Sequence, residues 1–144
     1  MAIWKMPINL SLLNKRNDNT LAGFLGIQFV EVGEDYLIAQ MPITPRVHQP
    51  IGIMHGGASC VLAETVGSNA ANFCVNQEQY YCVGLDINTN HIRSIREGLV
   101  TAKAEAFHLG KTTHVFGIHI YDEREKLISV NRLTMAVLKR ERGL

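Results

Sequence analysis

This sequence has few cysteines, a single tryptophan and almost no net charge. Its 144 residues include three cysteines and one tryptophan, and 14 Lys and Arg stand against 13 Asp and Glu, a net charge of +1. An odd number of cysteines with no C-x-x-C pair argues against a disulfide framework and predicts small buried thiols in a reducing compartment. A nearly neutral chain has no electrostatic reason to bind nucleic acid or an anionic membrane.

Long apolar runs and the common catalytic signatures are missing as well. No stretch of about 18 apolar residues occurs, so no membrane-spanning helix is expected. The first residues lack the apolar core and cleavage site of a signal peptide, which favours the cytoplasm. The six histidines show no H-E-x-x-H spacing and no close His/Cys spacing, so no metal site is predicted. Neither G-x-S-x-G nor a phosphate-binding glycine loop is present.

The pattern of apolar residues predicts one long helix and six strands. Short helical pieces in residues 9–24, broken near 17–19, precede the main elements. The long helix is expected over residues 57–75, and the strands over residues 26–32, 36–42, 82–92, 99–107, 112–121 and 127–138. This order predicts a single α+β domain over residues 1–144, with one helix covering an antiparallel sheet. The open edges of such a sheet predict a dimer.

Small residues predict close contact between this helix and the sheet. Gly67 costs the helix roughly 1 kcal/mol relative to alanine, which is best tolerated where another backbone comes close. The predicted strand at 99–107 also has a face of small residues: Val100, Ala102, Ala104 and Ala106. Ser59 and Cys60, near the helix start, have no base at helical spacing and are assigned to helix packing.

Glu64 is the most unusual residue of the predicted helix. It is the only Asp, Glu, Lys or Arg between Arg46 and Glu78, and its neighbours are small or apolar. A solvent-facing stripe would explain a carboxylate, but such a stripe usually carries several charges. Burying an unpaired carboxylate is costly. The isolation of Glu64, with Ser68 one turn later on the same face, therefore favours a chemical role.

A second chemical element lies at the start of the helix. His55, Gly56 and Gly57 precede Glu64 by nine to seven residues. Glycines let a ligand approach the backbone closely. The first N–H groups of a helix lack intrahelical acceptors and are suited to polarising a carbonyl oxygen. Glycines before a helix also serve packing, so this motif alone does not indicate a site. The carboxylate two turns away is what favours a chemical role for it.

Three segments of the chain resemble the hotdog-fold acyl-CoA thioesterases. They are HQPIGIMHGGASCVLAETVGSNAA, VGLDINTNHIRSIREG and FHLGKTTHVFGIHIYDE. The likeness is to the 4-hydroxybenzoyl-CoA thioesterase type, whose catalytic carboxylate lies on the central helix, and within it to bacterial 1,4-dihydroxy-2-naphthoyl-CoA thioesterases of menaquinone synthesis. It implies a hotdog fold, in which about six antiparallel strands wrap around one long helix. It also implies hydrolysis of aromatic acyl-CoA thioesters to free acid and CoA without a cofactor.

The resemblance also implies roles for individual residues. Glu64 matches the helix carboxylate that acts as nucleophile or general base, and Gly56 matches the glycine whose N–H polarises the thioester carbonyl. His55 and Gln49 would orient the substrate, and Ser68 would help to place the hydrolytic water. The remaining positions expected to bind substrate or CoA are Gly57, His91, Arg93, His108 and Gly110. Because the site of such enzymes lies between subunits of a homodimer or homotetramer, the Gly56 and Glu64 that act together are expected to come from different chains.

Two other functions stay open at the level of sequence. A hotdog 3-hydroxyacyl-thioester dehydratase would pair a histidine with an acid, as His55 and Glu64 could, but its histidine usually lies in an HFP-like loop. A non-catalytic acyl-CoA-binding module would have no need of Glu64 and often carries a separate DNA-binding domain. The residues of the helix therefore favour the thioesterase.

Overall fold

The computed structural model describes residues 1–141, and residues 142–144 of the predicted domain lie outside the described residues. Every predicted helix and strand is present, with ends within two residues of those expected. The helices are α1 (Leu10–Lys15), α2 (Leu21–Phe24), a 3-10 helix (Pro45–Val47) and α3 (Gly56–Phe73). The strands are β1 (Gln28–Val32), β2 (Tyr36–Ile43), β3 (Tyr80–His91), β4 (Gly98–Leu109), β5 (Thr113–Tyr121) and β6 (Leu127–Lys139).

The six strands form one antiparallel sheet that covers the long helix. Their order is β1-β2-β4-β5-β6-β3, and each neighbouring pair is antiparallel. Helix α3 packs against strands β2 to β6. Strand β3 follows α3 directly along the chain and lies at the edge of the sheet opposite β1. The expected α+β hotdog fold is confirmed.

Small residues bring α3 close to the sheet, as the sequence predicts. Val100, Ala102 and Ala104 of β4 are fully buried. A Cβ on Gly67 would lie 2.7 Å from Leu133 Cδ2 and 3.1 Å from Ile118 Cδ1. The helix therefore accepts the propensity cost of a glycine where two side chains of the sheet press against its backbone.

Hydrogen bonds also connect the two ends of α3 to strand β3. At the C-terminal end, Asn72 Oδ1 accepts from the Cys82 N–H at 2.8 Å and Asn72 Nδ2 donates to the Cys82 carbonyl at 3.1 Å. Nearer the N-terminal end, Cys60 Sγ donates to Thr89 Oγ1 at 3.3 Å. These hydrogen bonds hold strand β3 against α3 near both ends of the helix.

A polar cluster of Ser59, Ser129 and Asn131, which are buried, and Thr89, which is half-buried, extends this connection into the sheet. Ser59 Oγ lies 3.0 Å from Ser129 Oγ, and Thr89 Oγ1 donates to Asn131 Oδ1 at 2.7 Å. Asn131 Nδ2 donates to the Ile118 carbonyl at 3.0 Å and to Ser129 Oγ at 3.1 Å. The packing role expected for Ser59 is confirmed.

The three cysteines are free thiols, with Cys74 and Cys82 buried and Cys60 half-buried. Burial raises the pKa of Cys74 to about 12 and that of Cys82 to about 11. Within residues 1–141, no helix is long and apolar enough to cross a bilayer.

Candidate active site

The start of α3 is shaped by His55, which caps the helix. His55 Nδ1 accepts from the Gly57 N–H at 2.8 Å. In the neutral ring the proton then lies on Nε2, because a nitrogen that accepts a hydrogen bond carries no hydrogen. The cap satisfies one of the free N–H groups of the first turn. His55 therefore orders the helix start and keeps an Nε2–H available as a donor.

Gly56, the first residue of the helix, lies directly against strand β3. A Cβ on Gly56 would be 2.7 Å from His91 Nε2 and 2.9 Å from His91 Cε1. Glycine lets the His91 ring lie this close to the helix start; a side chain at position 56 would have to displace the ring. The imidazole and the N-terminal end of α3 thus meet at a place where no side chain intervenes.

A cleft of about 270 Å³ opens at this junction. Four residues expected in the site line it together: Gln49, Gly56, His91 and Arg93. Apolar side chains form much of the rest of the wall, namely Ile53, Met54, Ile92, Ile95 and Ile128. The arrangement combines the Gly56 N–H at the helix start, an imidazole, an amide and a guanidinium around an apolar floor.

Glu64 lies two turns farther along α3, outside this cleft. It is eight residues beyond Gly56, about 12 Å along the helix axis. Its side chain is exposed in the single chain, so the enclosure suggested by its apolar neighbours is not found there. The carboxylate lies over strand β3, where Oε1 is 2.5 Å from the position that a Cβ on Gly84 would take.

Ser68 follows Glu64 by one turn and is half-buried. Its backbone carbonyl accepts from Asn72 Nδ2 at 2.9 Å. Within residues 1–141, no hydrogen bond joins the Ser68 hydroxyl to Glu64. A shared water between these two groups stays a prediction.

His108 and Gly110 lie at the opposite end of the helix. His108 folds over Gly110, with Nε2 2.5 Å from the position of a Cβ there. Gly110 lines a cleft of about 740 Å³ with Cys74 and Val75, which directly follow α3. Because the 18 residues of α3 span about 27 Å, one chain does not bring this pair together with His91 and Arg93.

Gly84 is the residue at the site that sequence reasoning did not single out. A lone glycine inside a strand pattern signals a bulge or a close backbone approach. Gly84 shows both features. The pairing of β3 with β6 shifts between Gly84 and Asp86, and the Glu64 carboxylate lies close to the Gly84 backbone. That signal could have drawn attention to this position.

Comparison with known proteins gives one consistent result. The model of the thioesterase superfamily matches residues 51–129. A Vibrio cholerae protein named as an esterase is 53% identical over 142 residues, covering 99% of this chain and 93% of its own length. The 1,4-dihydroxy-2-naphthoyl-CoA hydrolase of Escherichia coli (strain K12) is 47% identical over 136 residues, covering 94% of this chain and 99% of its own.

A solved structure adds agreement in three dimensions. The crystal structure of a mutant thioesterase from Pseudomonas aeruginosa matches with a TM-score of 0.95 at 46% sequence identity, covering 96% of this chain and 100% of that chain. The segment that matches the family model, residues 51–129, contains the start of α3, Glu64 and strand β3. The solved structure agrees in fold over nearly the whole length of this chain. The chain therefore belongs to the thioesterase superfamily, as a hotdog-fold thioester hydrolase.

Proposed function

We propose that this thioesterase hydrolyses aromatic acyl-CoA thioesters at a site formed by Gly56 of one chain and Glu64 of a second. The separation of these groups on α3 carries the proposal. An oxyanion donor must lie about 3 Å from the carbonyl oxygen, and an attacking oxygen about 3 to 3.5 Å from the carbonyl carbon. Groups about 12 Å apart along one rigid helix cannot both meet these limits at one carbonyl.

Strand β3 offers the edge on which a second copy would pair. It is 12 residues long, lies at the end of the sheet order and exposes Val83 and Leu85, and the exposed Ile92 follows it directly. Long apolar edges of this kind are rarely left open in stable proteins. Pairing of two β3 strands about a twofold axis would make the two α3 helices antiparallel. Each Gly56 would then approach Glu64 of the other chain, which supports a homodimer as the smallest active unit. A homotetramer would be a pair of such dimers.

The hydrolysis follows from these groups. The thioester oxygen accepts from the Gly56 N–H, which stabilises the oxyanion as the carbonyl carbon is attacked. In one route a Glu64 oxygen forms the new bond, CoA leaves as thiolate, and water then cleaves the mixed anhydride. In the other, Glu64 removes a proton from water, the hydroxide adds to the carbonyl carbon and CoA again leaves as thiolate. Neither route uses a metal or an organic cofactor.

The neighbouring residues have roles that fit either route. Gln49 and the His55 Nε2–H are donors near the helix start and would orient the thioester, with Gly57 leaving the backbone accessible. His91 and Arg93 line the cleft, and Arg93 is exposed, so its guanidinium suits a phosphate of CoA. Ser68 would place the water. In a dimer, His108 and Gly110 of the second chain would extend the CoA-binding surface.

One observation argues against the rival dehydratase, and a second favours an aromatic substrate. His55 Nδ1 accepts from the Gly57 N–H and Nε2 carries the proton, so the ring cannot act as a dehydratase base without losing the helix cap. The name of the Escherichia coli relative supports an aromatic acyl group. Together with the apolar floor of the cleft, it makes an aryl or hydroxynaphthoyl thioester the best-supported substrate.

A thiol-release assay over a panel of substrates tests the acyl class. Benzoyl-, phenylacetyl-, hydroxynaphthoyl- and straight-chain acyl-CoAs would be compared at equal enzyme concentration. We expect kcat/KM to be highest for the aromatic thioesters. A clear preference for straight chains would contradict the proposed substrate while leaving thioester hydrolysis intact.

Mixing two inactive variants tests the shared site. Gly56→Ala places a methyl group against His91, and Glu64→Gln removes the carboxylate. If the two groups act across subunits, a hybrid dimer of these variants contains one intact site, so mixing after unfolding and refolding should restore activity. No recovery from verified hybrid dimers would place both groups in one chain's site and refute the proposal.

A further inference from the structure

In the single chain, the Glu64 carboxylate lies over a gap in strand β3 left by the missing side chain of Gly84. Within residues 1–141, no hydrogen bond or ion pair to this carboxylate is found. Its Oε1 instead lies 2.5 Å from the place where a Cβ on Gly84 would be, whereas the third-nearest atom to that place, Met135 Sδ, is 3.9 Å away. Any side chain at position 84 would therefore occupy the space of the carboxylate.

A bulge in β3 makes this arrangement compatible with the rest of the site. Gly84 pairs with Met135, and Asp86 pairs with Thr134. Leu85 is therefore the extra residue of β3, and its side chain is exposed. One extra residue reverses which positions face the helix. Gly84 faces α3 before the bulge, and Thr89 and His91 face it beyond.

Without the bulge, strict alternation would direct either Gly84 or His91 away from the helix. With it, Gly84 lies under Glu64 while His91 lies against Gly56 on the same strand. In the proposed dimer each chain gives its Gly56 to one site and its Glu64 to the other. These two contributions of one chain, about 12 Å apart along α3, are thus served by two positions of β3 that a regular strand could not both supply.

We propose that Gly84 is a positioning residue for thioester hydrolysis, because its missing side chain leaves the space in which the Glu64 carboxylate lies. This inference rests on the proposed role of Glu64. It assigns no chemistry to Gly84 itself, which acts only through the carboxylate. The bulge at Leu85 sets the orientation that makes the glycine effective.

The expected size of the effect follows from the distances. Ordinary contact with a methyl carbon begins near 3.4 Å, so an alanine methyl would push Oε1 back by about 1 Å from its 2.5 Å position. Misplacement of a catalytic group by about 1 Å can lower turnover by about 100-fold. The carboxylate is the free end of a flexible, exposed side chain, so its movement relieves the collision without unfolding the protein.

The experiment compares Gly84→Ala with wild type on an aromatic acyl-CoA. We expect kcat to fall by about 100-fold and at least 10-fold, with KM within about 3-fold and the melting temperature within about 4 °C. Gly33→Ala is the matched control. Gly33 lies in the turn between β1 and β2, away from Glu64, and a methyl group there would press against the ring of Tyr36. It should retain wild-type kcat.

A shorter carboxylate separates positioning from a general disturbance of the strand. Aspartate at position 64 holds its oxygens about 1.5 Å farther back, short of the alanine methyl. Gly84→Ala should therefore change kcat by less than about 3-fold when it is added to Glu64→Asp. An equal loss in both backgrounds, or unfolding of Gly84→Ala alone, would overturn the positioning role.

Failure of this inference can be told from failure of the proposed function. Full activity of Glu64→Gln would remove the role of the carboxylate, and the role of Gly84 with it. Loss of activity in Glu64→Gln together with wild-type kcat in Gly84→Ala would leave the catalytic role standing and refute the positioning role alone.

Discussion

Asn131→Leu should destabilise the protein because Asn131 is the centre of the polar cluster. The residue is 2% exposed, and its side-chain amide makes three hydrogen bonds, with Thr89, the Ile118 carbonyl and Ser129. Leucine has a similar volume, so the change removes the bonds without opening a large cavity. The partners stay in the interior and lose their contact with the amide.

The expected loss is about 3 kcal/mol of unfolding free energy. Each net hydrogen bond contributes about 1 kcal/mol, and three are lost. Two partners keep another contact, since Ser129 retains Ser59 and Thr89 retains Cys60, so the larger penalty for fully unsatisfied groups applies in part only. For a domain of this size, about 3 kcal/mol corresponds to a melting temperature lower by about 10 °C.

Urea denaturation and calorimetry at one fixed protein concentration measure this loss, because an oligomer melts at a concentration-dependent temperature. Lys126→Ala is the control, since Lys126 is exposed in the turn between β5 and β6, away from the cluster and from β3, and no side-chain hydrogen bond of Lys126 is found within residues 1–141. It should change the free energy by less than about 0.5 kcal/mol. A loss below about 1 kcal/mol for Asn131→Leu would refute the reasoning that this cluster holds α3 against the sheet.

Three further outcomes are expected. Gly67→Val should lower the unfolding free energy by about 1 to 3 kcal/mol in urea denaturation, because its side chain would collide with Leu133; wild-type stability would contradict the close packing. Burial, and secondarily a neighbouring histidine, lowers the pKa of His114, so its contribution to stability should be complete above about pH 6.5 and should be lost as the pH falls through the lowered pKa. The loss should be absent from His114→Phe, and an equal acid slope in both proteins would refute it. Cys74 and Cys82 should resist iodoacetamide at pH 8 in the folded protein and react after unfolding, as mass spectrometry would detect, because burial raises both pKa values; rapid labelling of the native protein would count against their burial.

The sequence predicted the fold well because the relevant signals are local. Helix α3 is an uninterrupted segment without proline, and the strand at 99–107 alternates regularly, so both appear within two residues of their predicted ends. The close approach at Gly67 was also predictable from small residues on both surfaces. These features depend on neighbours along the chain or on simple periodicity.

The site was less predictable because it depends on contacts that periodicity does not encode. Regular alternation cannot reveal a one-residue bulge, so the contact of Gly84 with Glu64 was not expected. The exposure of Glu64 in one chain was also not readable from its apolar neighbours, since the interface of an obligate dimer resembles a domain core in composition. For the same reason, the place of His108 and Gly110 in a shared site stays a prediction.

The most direct test of the central claim is CoA thiol release by Glu64→Gln from the aromatic acyl-CoA that the wild type hydrolyses fastest. Glu78→Gln, an exposed carboxylate beyond α3, is the control and should keep the wild-type rate. If Glu64 attacks the carbonyl or activates water, Glu64→Gln should lose turnover by about 100-fold or more. A rate within about 3-fold of wild type on every hydrolysed thioester would contradict the account.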